Sequence, residues 1–187
     1  MLETIIISLL FCKIKGYKVK GLFKHWTIYP ILILESIYII AQISIFMNNY
    51  FMLDYAAILK VIYLCSYLPL IFYYGRYIQA IMGSLFVLVG GLLNDIAIKA
   101  NNGFMPVFPT ISDSIGLLNK NDLGKVDNLH ILGTESTKLK FLTDIFDIGY
   151  CVLSLGDIFI RVYVFLIIYS VIKEINTKEN QKGICYS

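Results

Sequence analysis

The chain has 187 residues, of which 58% are hydrophobic and only 16% charged. A soluble domain is nearer half apolar and a quarter charged, so the surplus must face something other than water. A net charge of +3 gives no reason to invoke nucleic acid. Cys12, Cys65, Cys151 and Cys185 show neither C-x-x-C spacing nor a histidine at zinc-site spacing, so no disulfide framework, metal or other cofactor is implied.

The apolar runs set the expected fold, because about 20 apolar residues cross a bilayer core of about 30 Å. Residues 1–14 are the shortest candidate span. As a helix they rise about 21 Å, enough to cross only if Lys13 and Lys15 snorkel and the bilayer thins. Glu3 precedes the apolar run Ile5–Cys12 and lysines follow it, the reverse of a signal peptide, so a retained span is expected.

Lys13, Lys15, Lys18, Lys20 and Lys24 then make a basic connection ending at His25-Trp26. It reads as a topology signal under the positive-inside rule, or as a site for anionic lipid head groups. Trp26 and Tyr29 fit an aromatic belt at the same interface. Further spans are expected at 28–47, 55–74, 78–98 and 153–172, followed by a tail over 173–187. The connections at Asn48-Asn49-Tyr50 with Asp54, and at Gly75-Arg76, are tight.

The distribution of cations orients the bundle. With the basic connection in the cytoplasm, that side also receives Arg76, Lys173, Lys178 and Lys182. The other side receives Lys99, Lys120, Lys125, Lys138 and Lys140, mostly in a long loop where the rule counts least. The expected topology is N-terminus outside and C-terminus cytoplasmic, in a cell membrane. Residues 99–152 then form an extracytoplasmic loop. Its stretch Thr137–Phe146 puts Leu142, Ile145 and Phe146 on one helical face, which predicts a short amphipathic helix. The fold class expected is all-α, a single membrane domain over 1–187 with about five spans.

Two parts of the chain, Gly91 to Val107 and Leu153-Ser154-Leu155-Gly156-Asp157, resemble a family of bacterial multi-pass membrane proteins known only as a domain of unknown function. So do His130-Ile131-Leu132 with Thr137, Leu139, Phe141, Leu142 and Asp144. The resemblance runs over nearly the whole chain, most strongly from Asn94 to Asp157. That family often has Gly-Gly-Arg before Met-Pro, where this chain has Asn102-Gly103-Phe104, so no role of that arginine carries over. The resemblance implies a membrane fold with an ordered outer loop marked by Asn94, Asn101, Asn102, Gly103, Met105, Pro106 and Asp144. It implies no activity.

Charges inside spans cost about 2.5 to 3.5 kcal/mol each at a helix centre, which singles out Lys60, Asp95, Asp157, Arg161 and Glu35. The first four lie at similar depth beneath the outer loop. They read either as the floor of a polar pocket or as neutralising pairs, Asp157 with Arg161 and Lys60 with Asp95, that lock helices together. Glu35 has no cation at its depth and reads as a neutral, hydrogen-bonded carboxyl. Ala80, Gly83, Gly90, Gly91 and Asn94 share a face suited to close helix packing.

No enzyme is expected: Gly-x-Ser-x-Gly, His-Glu-x-x-His and P-loop patterns do not occur. The functional expectation is an integral membrane protein acting by binding, as an accessory or ligand-sensing component that uses its outer loop. Its partners would be the bilayer and either another membrane protein or a small extracytoplasmic ligand. The alternative is a small-solute or proton-coupled permease using the intramembrane charges.

Overall fold

A computed structural model describes residues 1–47, 49, 51–52, 55–114 and 129–185. Asn48, Tyr50 and Asp54 of the second connection lie outside the described residues, as do Lys120, Asp122, Lys125 and Asp127 of the outer loop. In chain order the helices are α1 (Leu2–Ile14), α2 (Lys20–Phe23), α3 (Tyr29–Phe46), α4 (Ala56–Cys65), α5 (Leu68–Tyr74) and α6 (Tyr77–Ala100). The strands β1 (Met105–Val107), β2 (His130–Leu132), β3 (Phe146–Asp147) and β4 (Val152–Leu153) follow, with α7 (Ile111–Ser114) after β1. The last helix, α8, runs from Leu155 to Cys185.

The chain forms two compact units. The first comprises Met1–Ile43, Tyr55–Leu85 and Arg161–Ser187, and the second Ser44–Asp54 and Phe86–Ile160. In the first unit Ile28, Ile31, Tyr63, Tyr67, Leu70, Val164, Ile167, Ile168, Val171 and Ile172 are buried. Lys18 is tied to α8 through its backbone, its N–H donating to Asn176 Oδ1 at 2.7 Å and its carbonyl accepting from Asn176 Nδ2 at 3.1 Å. Two residues of α6 and α8 come close here: a Cβ on Gly83 would lie 2.7 Å from Tyr163 Cδ2.

Apolar side chains also face outward. Ile78, Ile81, Leu85, Leu88 and Leu92 recur along α6 at helical spacing, and all are exposed. A water-soluble monomer rarely leaves so long an apolar stripe uncovered; a helix in lipid needs one.

Three of the helical segments, Trp26–Ile45, Tyr77–Ala100 and Leu155–Gln181, are long and apolar enough to cross a membrane, and Ile58–Tyr74 is a shorter apolar stretch. The span expected at 55–74 is interrupted at Ser66 and Tyr67. Pro69 at the start of α5 has no N–H for a continuous ladder, and Ser66 Oγ donates to the Tyr63 carbonyl at 2.6 Å. The expected fifth span begins two residues late, because Val152 and Leu153 pair in a strand. Its helix carries on past Lys173 to Cys185.

The chain is mostly helical, as expected, but in the second unit two small sheets that the all-α reading did not include accompany the helices. β1 and β2 pair in parallel with Met105 opposite His130 and Val107 opposite Leu132. β3 and β4 pair antiparallel, Phe146 opposite Leu153. The amphipathic helix expected over Thr137–Phe146 does not form. Only Lys140–Leu142 makes a single 3-10 turn, after Leu139 in the left-handed region at φ 48. The physical reason is competition for the backbone. The N–H of Asp144 donates to Pro106, its carbonyl accepts from Phe108, and the N–H of Ile145 donates to Leu153; a helix would forfeit these bonds.

Candidate functional site

The second unit contains the residues that carried the family resemblance, and most of them lie in the segment between α6 and α8. α6 ends by a tight reversal: Asn102 and Gly103 adopt φ 59 and φ 89, and Gly103 N–H returns to the Ile98 carbonyl at 2.9 Å. A six-to-one bond of this kind with glycine in the left-handed region is a standard helix stop. Asn101, one residue earlier, uses both ends of its amide on Lys138: Oδ1 accepts from the Lys138 N–H and Nδ2 donates to the Lys138 carbonyl, each at 2.9 Å. Met105 is buried with Ala97 and Leu142 in a small core. Pro106 lies in β1, where its carbonyl serves Asp144. Asp144 is itself buried, with Oδ2 3.5 Å from His130 Nε2.

Asp147, which the sequence argument left unassigned, is the second tether. Its Oδ2 accepts from Thr110 N–H at 2.7 Å, Ser112 N–H at 2.9 Å and Ser112 Oγ at 2.7 Å, while Oδ1 accepts from Gly149 N–H at 2.8 Å. Burial alone would raise its pKa. The donors at Ser112, Gly149 and Thr110 outweigh it and lower the carboxyl to about 2. Nearby in sequence, Cys151 moves the other way: burial first, then the carboxylates of Asp157, Asp147 and Asp144, push its thiol up to about 11.

Asp157 works at the start of α8. Ser154 Oγ accepts from Asp157 N–H at 2.9 Å and Asp157 Oδ2 accepts from Ser154 N–H at 3.3 Å, a reciprocal capping box. Asn94 of α6 joins both: Ser154 Oγ donates to Asn94 Oδ1 at 2.8 Å, and Asn94 Nδ2 donates to Asp157 Oδ1 at 3.3 Å. Glycine makes this approach possible, since a Cβ on Gly156 would overlap Asn94 Oδ1 and the Gly90 carbonyl. Asp95, one residue beyond Asn94, is exposed and has no ion-pair partner among the described residues.

In the first unit Arg161 pairs with Glu3 of α1, with Thr4 Oγ1 3.4 Å from its Nη1. Glu3 was not among the candidates, although both it and Arg161 sit toward the outer ends of their expected spans. Lys60 is half-buried on α4. Glu35 has tyrosine partners instead of a cation. Tyr63 donates to Glu35 Oε1 at 2.5 Å, and the Tyr67 hydroxyl lies 2.8 Å from that of Tyr63. All three side chains are buried. Tyr38 packs edge-on against Tyr63, ring centroids 5.4 Å apart. The signal was available in the sequence as Tyr63 and Tyr67 one turn apart.

Among the described residues no group of three or more His, Cys, Asp or Glu side chains is arranged to hold a metal ion. Three long apolar helices with outward apolar faces suggest a membrane location, and a hydrophilic segment separates the last two of them. A family model described as a family of unknown function, DUF5317, matches residues 20–169, and the chain belongs to that family. No curated protein and no solved structure matches the chain.

Proposed function

We infer that the protein is a five-span membrane protein, N-terminus outside and C-terminus cytoplasmic, that acts by binding through its outer segment and catalyses no reaction. α1, only 13 residues long, and the broken α4–α5 pair are taken as the two spans beyond the three long helices. The reading makes the chain an accessory or ligand-sensing component whose partner is another membrane protein or a small extracytoplasmic ligand.

The observation that carries this reading is the way residues 101–114 and 129–153 are fixed. Asn101 holds Lys138 and Asp147 holds Thr110 and Ser112 over 35 to 37 residues of sequence. Ordering backbone costs about 1–2 kcal/mol per residue, which a mere connection has no need to bear. Long loops with structure of their own are usually functional. A photo-reactive residue in place of exposed Phe141 tests this in intact cells. A discrete cross-linked product, lost on Asp147→Ala, supports recognition by this surface; lipid adducts alone count against it.

The permease reading draws on the Glu35–Tyr63–Tyr67 chain of hydrogen bonds, whose polarity can reverse if the carboxyl is protonated. Proton or solute flux in liposomes decides between them. The binding reading expects no flux above empty liposomes; flux that vanishes in Glu35→Gln would replace it.

A further inference from the structure

We propose that the connection between α1 and α3 is a binding site for anionic phospholipid head groups, held in shape by backbone contacts to α8. The inference rests on the membrane reading. Lys13, Lys15, Lys18, Lys20 and Lys24 are all exposed, and none has an ion-pair partner among the described residues. Five ammonium groups within twelve residues repel one another, and a counter-ion from outside the chain removes that cost.

The connection is nonetheless fixed. It docks through groups that carry no charge: the Lys18 backbone on Asn176, the buried Leu22 and Thr27, and Gly21, where a Cβ would lie 2.7 Å from Ile175 Cγ2. Asn176 is anchored in turn by donating to the Ile172 carbonyl at 2.8 Å. A segment serving only as a topology signal needs the charges but not this docking. Among the acidic groups of α8, Glu174 is engaged by Arg76 at 3.1 Å and Lys178 at 3.3 Å. Glu179 lies beside Gly21 and brings one carboxylate to the patch, against which the five lysines leave a net positive charge.

The occupant follows from the surroundings. Phe23, Trp26 and Tyr29 are exposed beside the lysines, and the helices leaving the connection are apolar. Aromatic residues of this kind lie at head-group level. Phosphate presented by a lipid meets lysines and aromatics together, whereas nucleic acid would find both flanks in the bilayer.

Trp26 is the one tryptophan in the chain, so it reports the site without labelling. The full chain is placed in nanodiscs containing brominated phosphatidylglycerol or, at equal mole fraction, brominated phosphatidylcholine, and quenching of Trp26 is compared. Preferential quenching by phosphatidylglycerol is expected, with head-group affinity falling about fivefold for each lysine changed to glutamine. The preference should also vanish at about 1 M salt, where the Debye length is about 3 Å; this arm needs no variant. Equal quenching by the two lipids overturns the proposal, as does a preference that survives both salt and the five substitutions. Displacement of the lipid by free glycerol phosphate at comparable concentration would assign the site to soluble phosphate and overturn it too. Failure to enter neutral nanodiscs at all would overturn the membrane reading and this inference with it, whereas entry without lipid preference overturns this inference alone.

Discussion

Gly156 and Gly91 make a matched pair of substitutions with opposite expected signs. Alanine in place of helical glycine ordinarily gains about 1 kcal/mol. At Gly91 nothing lies within 4 Å of the added Cβ, so Gly91→Ala should keep that gain or be neutral. At Gly156 the Cβ would overlap the Gly90 carbonyl and Asn94 Oδ1. A backbone carbonyl cannot swing aside, so Asn94 and the helix start must move. Overpacking costs about 1–3 kcal/mol, and each hydrogen bond lost among Asn94, Ser154 and Asp157 removes about 1 kcal/mol more. Taking about 3 to 4 kcal/mol against the gain of about 1 leaves Gly156→Ala roughly 2 to 3 kcal/mol less stable, or a fall of about 4–12 °C in unfolding midpoint for a chain of this size. Thermal unfolding in mild detergent measures both variants side by side. A Gly156→Ala protein as stable as Gly91→Ala would refute the close approach of these residues.

Three further outcomes are expected. Removing one partner of a largely desolvated pair costs about 3–5 kcal/mol, so Arg161→Ala should unfold well below the natural chain. The Arg161→Ala, Glu3→Gln double variant should recover part of the loss, and strictly additive effects in that cycle would mean the two side chains do not interact. Tyr63→Phe leaves the buried Glu35 without its donor and should cost about 1–3 kcal/mol; an unchanged midpoint would show that water already serves the carboxyl. For Asp147 the folded carboxyl is depressed to about 2, against about 3.9 when unfolded. Its contribution is therefore fully present above pH about 4 and fades as pH falls toward about 2. Protease resistance of the outer segment should decline over that window in the natural chain. In Asp147→Asn this step should be absent, and an identical decline in both would remove Asp147 as the tether.

The long helices could be read from the sequence because an apolar run near the bilayer length admits few other structures. Run length says nothing about interruptions, and the break near Ser66 was recoverable only by weighing Pro69. The two small sheets were not legible for a different reason. Three-residue strands such as Met105–Val107 and His130–Leu132 are too short to display an alternating pattern, and their pairing spans about 25 residues of sequence. Local amphipathicity around Phe141 therefore pointed to a helix that long-range backbone bonds prevent. Arg161 shows the same limit among charges. Asp157 one turn earlier satisfied the sequence argument, while Glu3 at the far end of the chain supplied the ion pair. The Ser154-x-x-Asp157 box and the Gly103 stop were visible as local patterns, but nothing local joins Asn94 to that box.

The side of the membrane reached by the outer segment is the claim on which the rest depends. With the four natural cysteines replaced by alanine, Lys138→Cys and Arg76→Cys are introduced separately and treated in intact cells with a membrane-impermeant maleimide. The account predicts labelling at position 138 from outside and at position 76 only after permeabilisation; labelling of both positions from the same side would contradict it.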